Sequence, residues 1–298
     1  MTSSRKLTIA NLEIVMSENR PVGTLFVVAT PIGNLDDITL RAVDVLKTVA
    51  IVAAEDTRRS AVLLAHIGAR PDRLLSMHDH NETARSAQLL ELLQQGHNVA
   101  LISDAGTPLI SDPGFELVRH LRAHGVNVTP IPGASALTAV LSVSSLPVER
   151  FFFDGFLPAR SAARRTRLAE LAVIPVAVVF FEAARRLRDT LKELVEITDA
   201  DRRILLAKEL TKIHERIESG TVAELTSRLD DEFFERGEFV CVLAPPPAAI
   251  AAAADTTALM QALCDELPPA QAARIAARVT HKPRSELYEY ALKLRRGS

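Results

Sequence analysis

A chain of 298 residues is long enough for two domains of ordinary size and a small appendage. With 48% hydrophobic and 24% charged residues it can pack a core, which excludes wholesale disorder. The formal charge of −2 excludes a protein that holds nucleic acid by bulk basicity, so any bound RNA would need local basic patches or shape.

Residues 1–21 are polar and unpatterned, without the apolar stretch and cleavage site of a secretory signal, and read as a mobile leader. From Thr24 onward apolar, β-rich runs (25–30, 50–54, 74–77, 99–103 and 126–131) alternate with helical patterns at 39–48, 58–67, 82–95, 115–124 and 135–143. Such alternation over short connections predicts a mostly parallel sheet covered on both faces, an α/β domain over 22–147. Asp37 is expected to cap the 39–48 helix, Asp56 and Asn81 suit the starts of the next two, and Gly68, Gly96 and Gly125 stand where helices stop. Leu146-Pro147-Val148 reads as a hinge into a second α/β domain, 148–245, with strands at 151–156, 176–181, 204–208 and 239–243 and helices at 164–172, 186–197 and 221–230. Residues 246–256 have the composition of a linker, and 257–298 form a helical tail of three short helices that resembles a helix-turn-helix unit. A helical bundle for dimerisation fits the same pattern.

Several chemistries are hard to build. No apolar run reaches a membrane span, because the longest uncharged stretch, 125–148, is interrupted by Pro130, Pro132, Gly133 and Pro147. The two cysteines, Cys241 and Cys264, have no partners at ligand spacing, and a reducing cytoplasm suits them. His78-Asp79-His80 is the one tight cluster of metal-ligating types, and a polar loop explains it, so no metal is expected. Neither G-x-G-x-x-G nor a P-loop occurs.

Three segments follow buried strands instead: Thr30-Pro31-Ile32-Gly33-Asn34-Leu35, then Ser103-Asp104-Ala105-Gly106-Thr107-Pro108 running to Ser111-Asp112-Pro113-Gly114, then Pro130-Ile131-Pro132-Gly133-Ala134-Ser135. In an open parallel sheet ligands bind outside the carboxyl ends of strands. Glycine allows close backbone approach there, and proline stiffens the loop. Ordinary βα turns use the same residues, but three such loops in one domain point to a ligand site. A second constellation, Glu55-Asp56-Thr57-Arg58-Arg59 and Met77-His78-Asp79-His80-Asn81-Glu82, follows two other strands. Helix capping accounts for its acids but not for Arg58, Arg59, His78 and His80, which suit phosphate clamping and acid–base work.

At these residues the chain resembles a family. ATPIGNLDDITLRA, AEDTRRS, HDHNE, LISDAGTPLISDPG, IPGASA, FFEAARRL, AKELTKIHE and GEFVCVLAP are similar to the bacterial small-subunit ribosomal RNA ribose-2′-O-methyltransferases of the tetrapyrrole (corrin/porphyrin) methylase fold, over about residues 23–245. The resemblance implies a homodimer that uses S-adenosyl-L-methionine to methylate the ribose of a cytidine in the decoding region of 16S rRNA, within the small ribosomal subunit. It implies two α/β domains flanking a cofactor cleft, with Pro31, Ser103, Asp104, Ala105, Gly106, Thr107, Pro132, Ser135 and Ala136 in the cofactor loops and Phe181 and Leu243 as walls for the adenine. The tetrapyrrole branch often carries Gly-Asp-Pro in the second loop, and Ser103-Asp104-Ala105-Gly106-Thr107-Pro108 departs from that toward the RNA branch.

Methyl transfer to a ribose hydroxyl is an in-line displacement at a sulfonium. Alignment contributes about 7–11 kcal/mol, and a general base a further factor of roughly 10²–10⁴. Candidates for the base are Glu55, Asp104, His78 and Glu82. Arg58, Arg59 and Lys208 are candidates for phosphate contacts, and Arg160, Arg164, Arg165 and Arg167 form a basic run suited to an RNA backbone, or to a solvated helix face. In the tail, Arg274, Arg278, Lys282 and Arg284 either face RNA or keep the bundle soluble. Two rival readings are a C-methyltransferase acting on a tetrapyrrole precursor and a non-catalytic cofactor-sensing module.

Overall fold

The computed structural model describes residues 21–78, 81–199, 201–246, 248–280 and 282–296. The leader expected at the start of the chain, together with Asp79 and His80, lies outside the described residues. The chain divides into two compact units, Thr30 and Gly133 being the last residues of the first before the chain passes to the second.

The first unit is built on β1 (Thr24–Val28), β2 (Ile51–Ala54), β3 (Arg73–Ser76), β4 (Val99–Ile102) and β5 (Asn127–Ile131), in the order β3-β2-β4-β1-β5. All pairings are parallel. β2 and β4 are buried at every position, as continuous apolar runs in the middle of a two-sided sheet must be. Alternation divides their side chains: Ile51, Ala53 and Leu101 join Leu89 and Leu117 in one core, and Val52, Ala54, Ala100 and Ile102 join Leu46 and Leu64 in the other. The covering helices are α1 (Leu40–Thr48), α2 (Thr57–Ile67), α3 (Glu82–Gln94) and α4 (Phe115–Ala123). Thr39, not Asp37, caps α1, accepting from the Ala42 N–H at 3.2 Å, while Asp37 closes a 3-10 turn (Leu35–Asp37). Gly68, Gly96 and Gly125 take positive φ after their helices, as expected.

The second unit gathers Pro31–Asp37 and everything from Ala134 onward, so its border lies ahead of the hinge expected at 146–148; Leu146 is buried in its core. After α5 (Ala136–Ser142) come β6 (Phe151–Phe156), α6 (Ser161–Ala172), β7 (Ala177–Ala183), α7 (Ala184–Ile197), β8 (Arg203–Lys208), β9 (Arg216–Thr221), α8 (Val222–Ser227) and β10 (Glu238–Leu243). The sheet runs β6-β7-β10-β8-β9, with only β6 and β7 parallel. β9, RIESGT, is an edge strand that hides behind charge and glycine. The expected linker is helical instead: α9 (Ala248–Glu266) starts inside it, because an alanine run has the highest helix propensity rather than the looseness of a spacer. α9 packs with α10 (Pro269–Thr280) and α11 (Arg284–Arg296) around Met260, Ala272, Ala276, Leu287 and Ala291. Among the described residues no helix is long and apolar enough to cross a membrane.

Candidate active site at the strand ends of the first sheet

Because the first sheet is wholly parallel, the segments after β1 to β5 all leave its carboxyl edge. Neighbouring strands bring their loops together. After β1 and β4, Thr30 and Gly106 exchange backbone hydrogen bonds of 2.8 and 3.0 Å, and the Thr30 hydroxyl donates to the Ser103 carbonyl at 3.2 Å. Gly106 holds φ +82° in this bridge. After β1 and β5, Gly133 lies so close to Ala29 that an added Cβ would sit 3.0 Å from the alanine methyl. The long loop after β4 also places two non-glycine residues, Leu109 and Ser111, at positive φ of 73° and 69°. Such backbone persists where surroundings over-determine it, typically at ligand sites.

Carboxylates converge at this edge. Asp104 braces the end of β2: its Oδ1 accepts from the Asp56 N–H at 2.9 Å, and its Oδ2 from Arg59 at 3.1 Å. The Asp104 N–H in turn points to Glu55 Oε2 at 3.5 Å. Asp56 caps α2 through the Arg58 N–H at 2.9 Å, and the Arg58 guanidinium bonded to it holds its carboxyl down to about 2. Asp112 behaves in the opposite way. Burial first, then the Glu55 charge and, less, that of Asp104, push its carboxyl from 3.8 up to about 6, against a hydrogen bond with Ser103. A carboxylate tuned toward neutrality suits a general base. Asp112 lies within a loop expected to bind ligand, but its titration depends on burial and then on Glu55, 57 positions earlier in the chain, which no local pattern reveals.

The other base candidates have structural duties. Glu82 Oε1 accepts from the Leu117 N–H at 2.9 Å and so caps α4, whose N-cap position is Gly114. The His78 N–H donates to Asn81 Oδ1 at 2.9 Å, and its ring lies 3.2 Å from Asn81 Nδ2, inside its own turn. Asn81 ties that turn and does not cap α3.

Arg58 and Arg59 project into water with side chains 89% and 73% exposed, so each can meet a phosphate while anchored to its aspartate. Arg164 cannot. It is buried, and its guanidinium makes a two-pronged pair with Glu193 at 2.9 and 2.8 Å, which overturns its expected RNA contact. On the same helix Arg165 pairs with Glu196 and Arg167 with Asp154 and Glu170, so much of the basic run is neutralised where it stands. Lys208 lies 5.6 Å over the Phe233 ring. Phe181 is half-buried, edge-on to Phe153 and Phe156 at 5.1 and 5.3 Å. Leu243 belongs to the opposite core, beside Val178 and Phe180, so its side chain forms no wall with Phe181. Among the described residues no group of three metal-ligating side chains forms.

The chain matches the model of the Tetrapyrrole (Corrin/Porphyrin) Methylases over residues 24–226 and that of the RsmI C-terminal HTH domain over 250–295. A Xylella fastidiosa protein named ribosomal RNA small subunit methyltransferase I is 49% identical over 269 residues, 89% of this chain and 98% of its own length. Namesakes from Pseudomonas aeruginosa and Escherichia coli O157:H7 are 47% and 44% identical, over 91% and 93% of this chain and 97% of each of theirs. Among solved structures, diphthine synthase superposes with a TM-score of 0.58 at 16% identity, covering 74% of this chain and 90% of that one. A Thermus thermophilus uroporphyrin-III C-methyl transferase complexed with S-adenyl homocysteine gives 0.53 at 21%, covering 74% and 97%. At such identities these likenesses establish the fold alone.

Proposed function

The chain belongs to the tetrapyrrole (corrin/porphyrin) methylases, in the family of ribosomal RNA small subunit methyltransferase I, and from that premise we propose that it methylates a cytidine ribose 2′-hydroxyl in the decoding region of 16S rRNA. The methyl donor is S-adenosylmethionine. The substrate is the small ribosomal subunit, met in the cytoplasm by a homodimer of this chain. The observation that carries the chemistry is the meeting of Glu55, Asp104 and Asp112 at the carboxyl edge of a parallel sheet, beside backbone fixed by Gly106 and Gly133.

These residues suit a sulfonium-bearing nucleoside. Carboxylates complement its positive charge, and the tight backbone bridge of Thr30 and Gly106 leaves Ala105 exposed to meet it. When bound, the cofactor supplies an activated methyl group. Pro31, the run from Ser103 to Thr107, Pro132, Ser135 and Ala136 form the proposed cofactor loops. Asp104, with both oxygens already bonded, positions the end of β2 rather than moving a proton. Proton removal from the ribose falls to Asp112, which burial first, and then the neighbouring Glu55 charge, keeps basic. Arg58 and Arg59 meet the RNA backbone from the first turn of α2.

Labelled methyl transfer to small subunits from a strain lacking this protein, with nuclease mapping of the product, tests the reading. A 2′-O-methylated cytidine is expected. Label found only in a porphyrinogen precursor would replace it with tetrapyrrole C-methylation. Cofactor bound but never consumed would leave a sensor.

A further inference from the structure

The turn inside the motif AKELTKIHE is cross-braced within the second unit. Glu209 and Thr211 hold positive φ of 51° and 66° without being glycine. The Glu209 N–H donates to the Glu238 carbonyl at 2.9 Å, and Glu209 Oε1 accepts from the Glu238 N–H at 2.9 Å. Lys212 bridges Glu209 and Glu238 at 2.9 and 3.0 Å, and the Thr211 N–H donates to Glu215 at 2.6 Å. The turn also grips the first ligand loop: Thr211 Oγ1 accepts from the Asn34 N–H at 3.2 Å. Gly33 lies so tight on it that a Cβ would stand 2.4 Å from Lys212 Cγ.

At the tip of this rigid turn stands Ile213, 97% exposed. An apolar side chain held wholly in water by strained, cross-braced backbone does nothing for the core, and nothing in its own unit covers it. Two cations stand at its base among carboxylates. Lys208 and Arg216 pair across the β8–β9 hairpin, both lie against the Phe233 ring, at 5.6 and 5.1 Å, and Arg216 is also held by Glu218 at 2.7 Å. An apolar tip flanked by Lys208 and Arg216, on a turn tied to the loop containing Pro31, has the layout of a wedge entering a base stack while its flanks meet phosphates.

We propose that Ile213 is a substrate-contacting residue that inserts between stacked RNA bases and frees the target nucleotide for methylation. The inference rests on the RNA reading of the preceding subsection. Lys208 and Arg216 hold the flanking phosphates, and Thr211 is a positioning residue that fixes the wedge relative to the loop containing Pro31.

The test compares wild type with Ile213→Leu, Ile213→Ala and Ile213→Asp in methyl transfer to small subunits, with S-adenosylmethionine affinity measured calorimetrically on each. Ile213→Ala removes the branches that insertion into the base stack buries, and is expected to lower kcat/KM roughly ten- to fiftyfold. Ile213→Asp is expected to lose more and Ile213→Leu to keep most of the rate, all with unchanged cofactor affinity. A benzophenone amino acid at position 213 is expected to crosslink to rRNA. Wild-type rates in Ile213→Asp, a parallel loss of cofactor affinity, or crosslinks to ribosomal protein alone would each overturn the wedge. If wild type itself transfers no methyl to the subunit, the RNA reading fails and takes the wedge with it.

Discussion

Replacing Asp112 by Asn separates what this carboxylate does for the reaction from what it does to the fold. Its folded-state pKa of about 6 stands above its ordinary value of 3.8, so the folded protein holds that proton more tightly than the unfolded chain does. Stability therefore falls as pH rises from about 4 to about 6, and the deficit persists at higher pH. The shift corresponds to a cost of about 3 kcal/mol for the ionised form in a dry site; the loop is partly open to water, and screening brings this to roughly 1–2 kcal/mol. Asparagine keeps the shape and never ionises. In urea unfolding, Asp112→Asn is expected to exceed wild type by roughly 1–2 kcal/mol at pH 8, with the gain fading toward pH 4. Methyl transfer is expected to drop by roughly 10²–10⁴, with loss of the wild-type rise in rate through about pH 6. A stability change of equal size at pH 4 and pH 8, or a destabilised variant at pH 8, would refute the account of this carboxyl.

Glu193→Ala leaves the Arg164 guanidinium buried and unpaired, and urea unfolding is expected to register a loss of about 3–5 kcal/mol. Arg164→Met is expected to leave the salt dependence of subunit binding unchanged, since a buried arginine neutralises no phosphate. Gly33→Ala places a methyl 2.4 Å from Lys212 Cγ, within a turn whose lysine is already clamped, and stopped-flow binding is expected to give weaker cofactor capture with folding retained. Truncation of the tail must begin at residue 248, since a cut at 256 would sever α9. The shortened chain is expected to bind cofactor normally and subunits more weakly, and undiminished subunit affinity would sink the RNA role of Arg274, Arg278, Lys282 and Arg284.

Local pattern carried much of this architecture. The apolar runs of β2 and β4 and the glycines after α2, α3 and α4 speak for themselves, because burial and left-handed backbone leave direct marks on residue type. β9 was silent, since an edge strand needs no apolar face, and α9 was disguised by composition. Arg164 and Leu243 carry local signals for the places they take. Arg164 precedes Leu168 and Leu171 at helical spacing, which places it on the inner face of α6. Leu243 shares parity with Cys241 and Phe239, whose face of β10 is the helix-covered core. The Asp112 environment had no such signal, because it is assembled from the ends of strands far apart in the chain.

The grip of Thr211 on Asn34 joins residues 177 positions apart. During synthesis at about 5–20 residues per second, the segment Pro31–Asp37 leaves the ribosome roughly 10–35 seconds before its partner turn has been made. For that interval the N-terminal sheet can close, but the loop carrying Pro31 has no seat. On the proposed role of that loop, competence to hold cofactor is a late acquisition of the nascent chain, and a product released after β5 but before the β8–β9 hairpin would carry a finished first sheet and an unseated first loop.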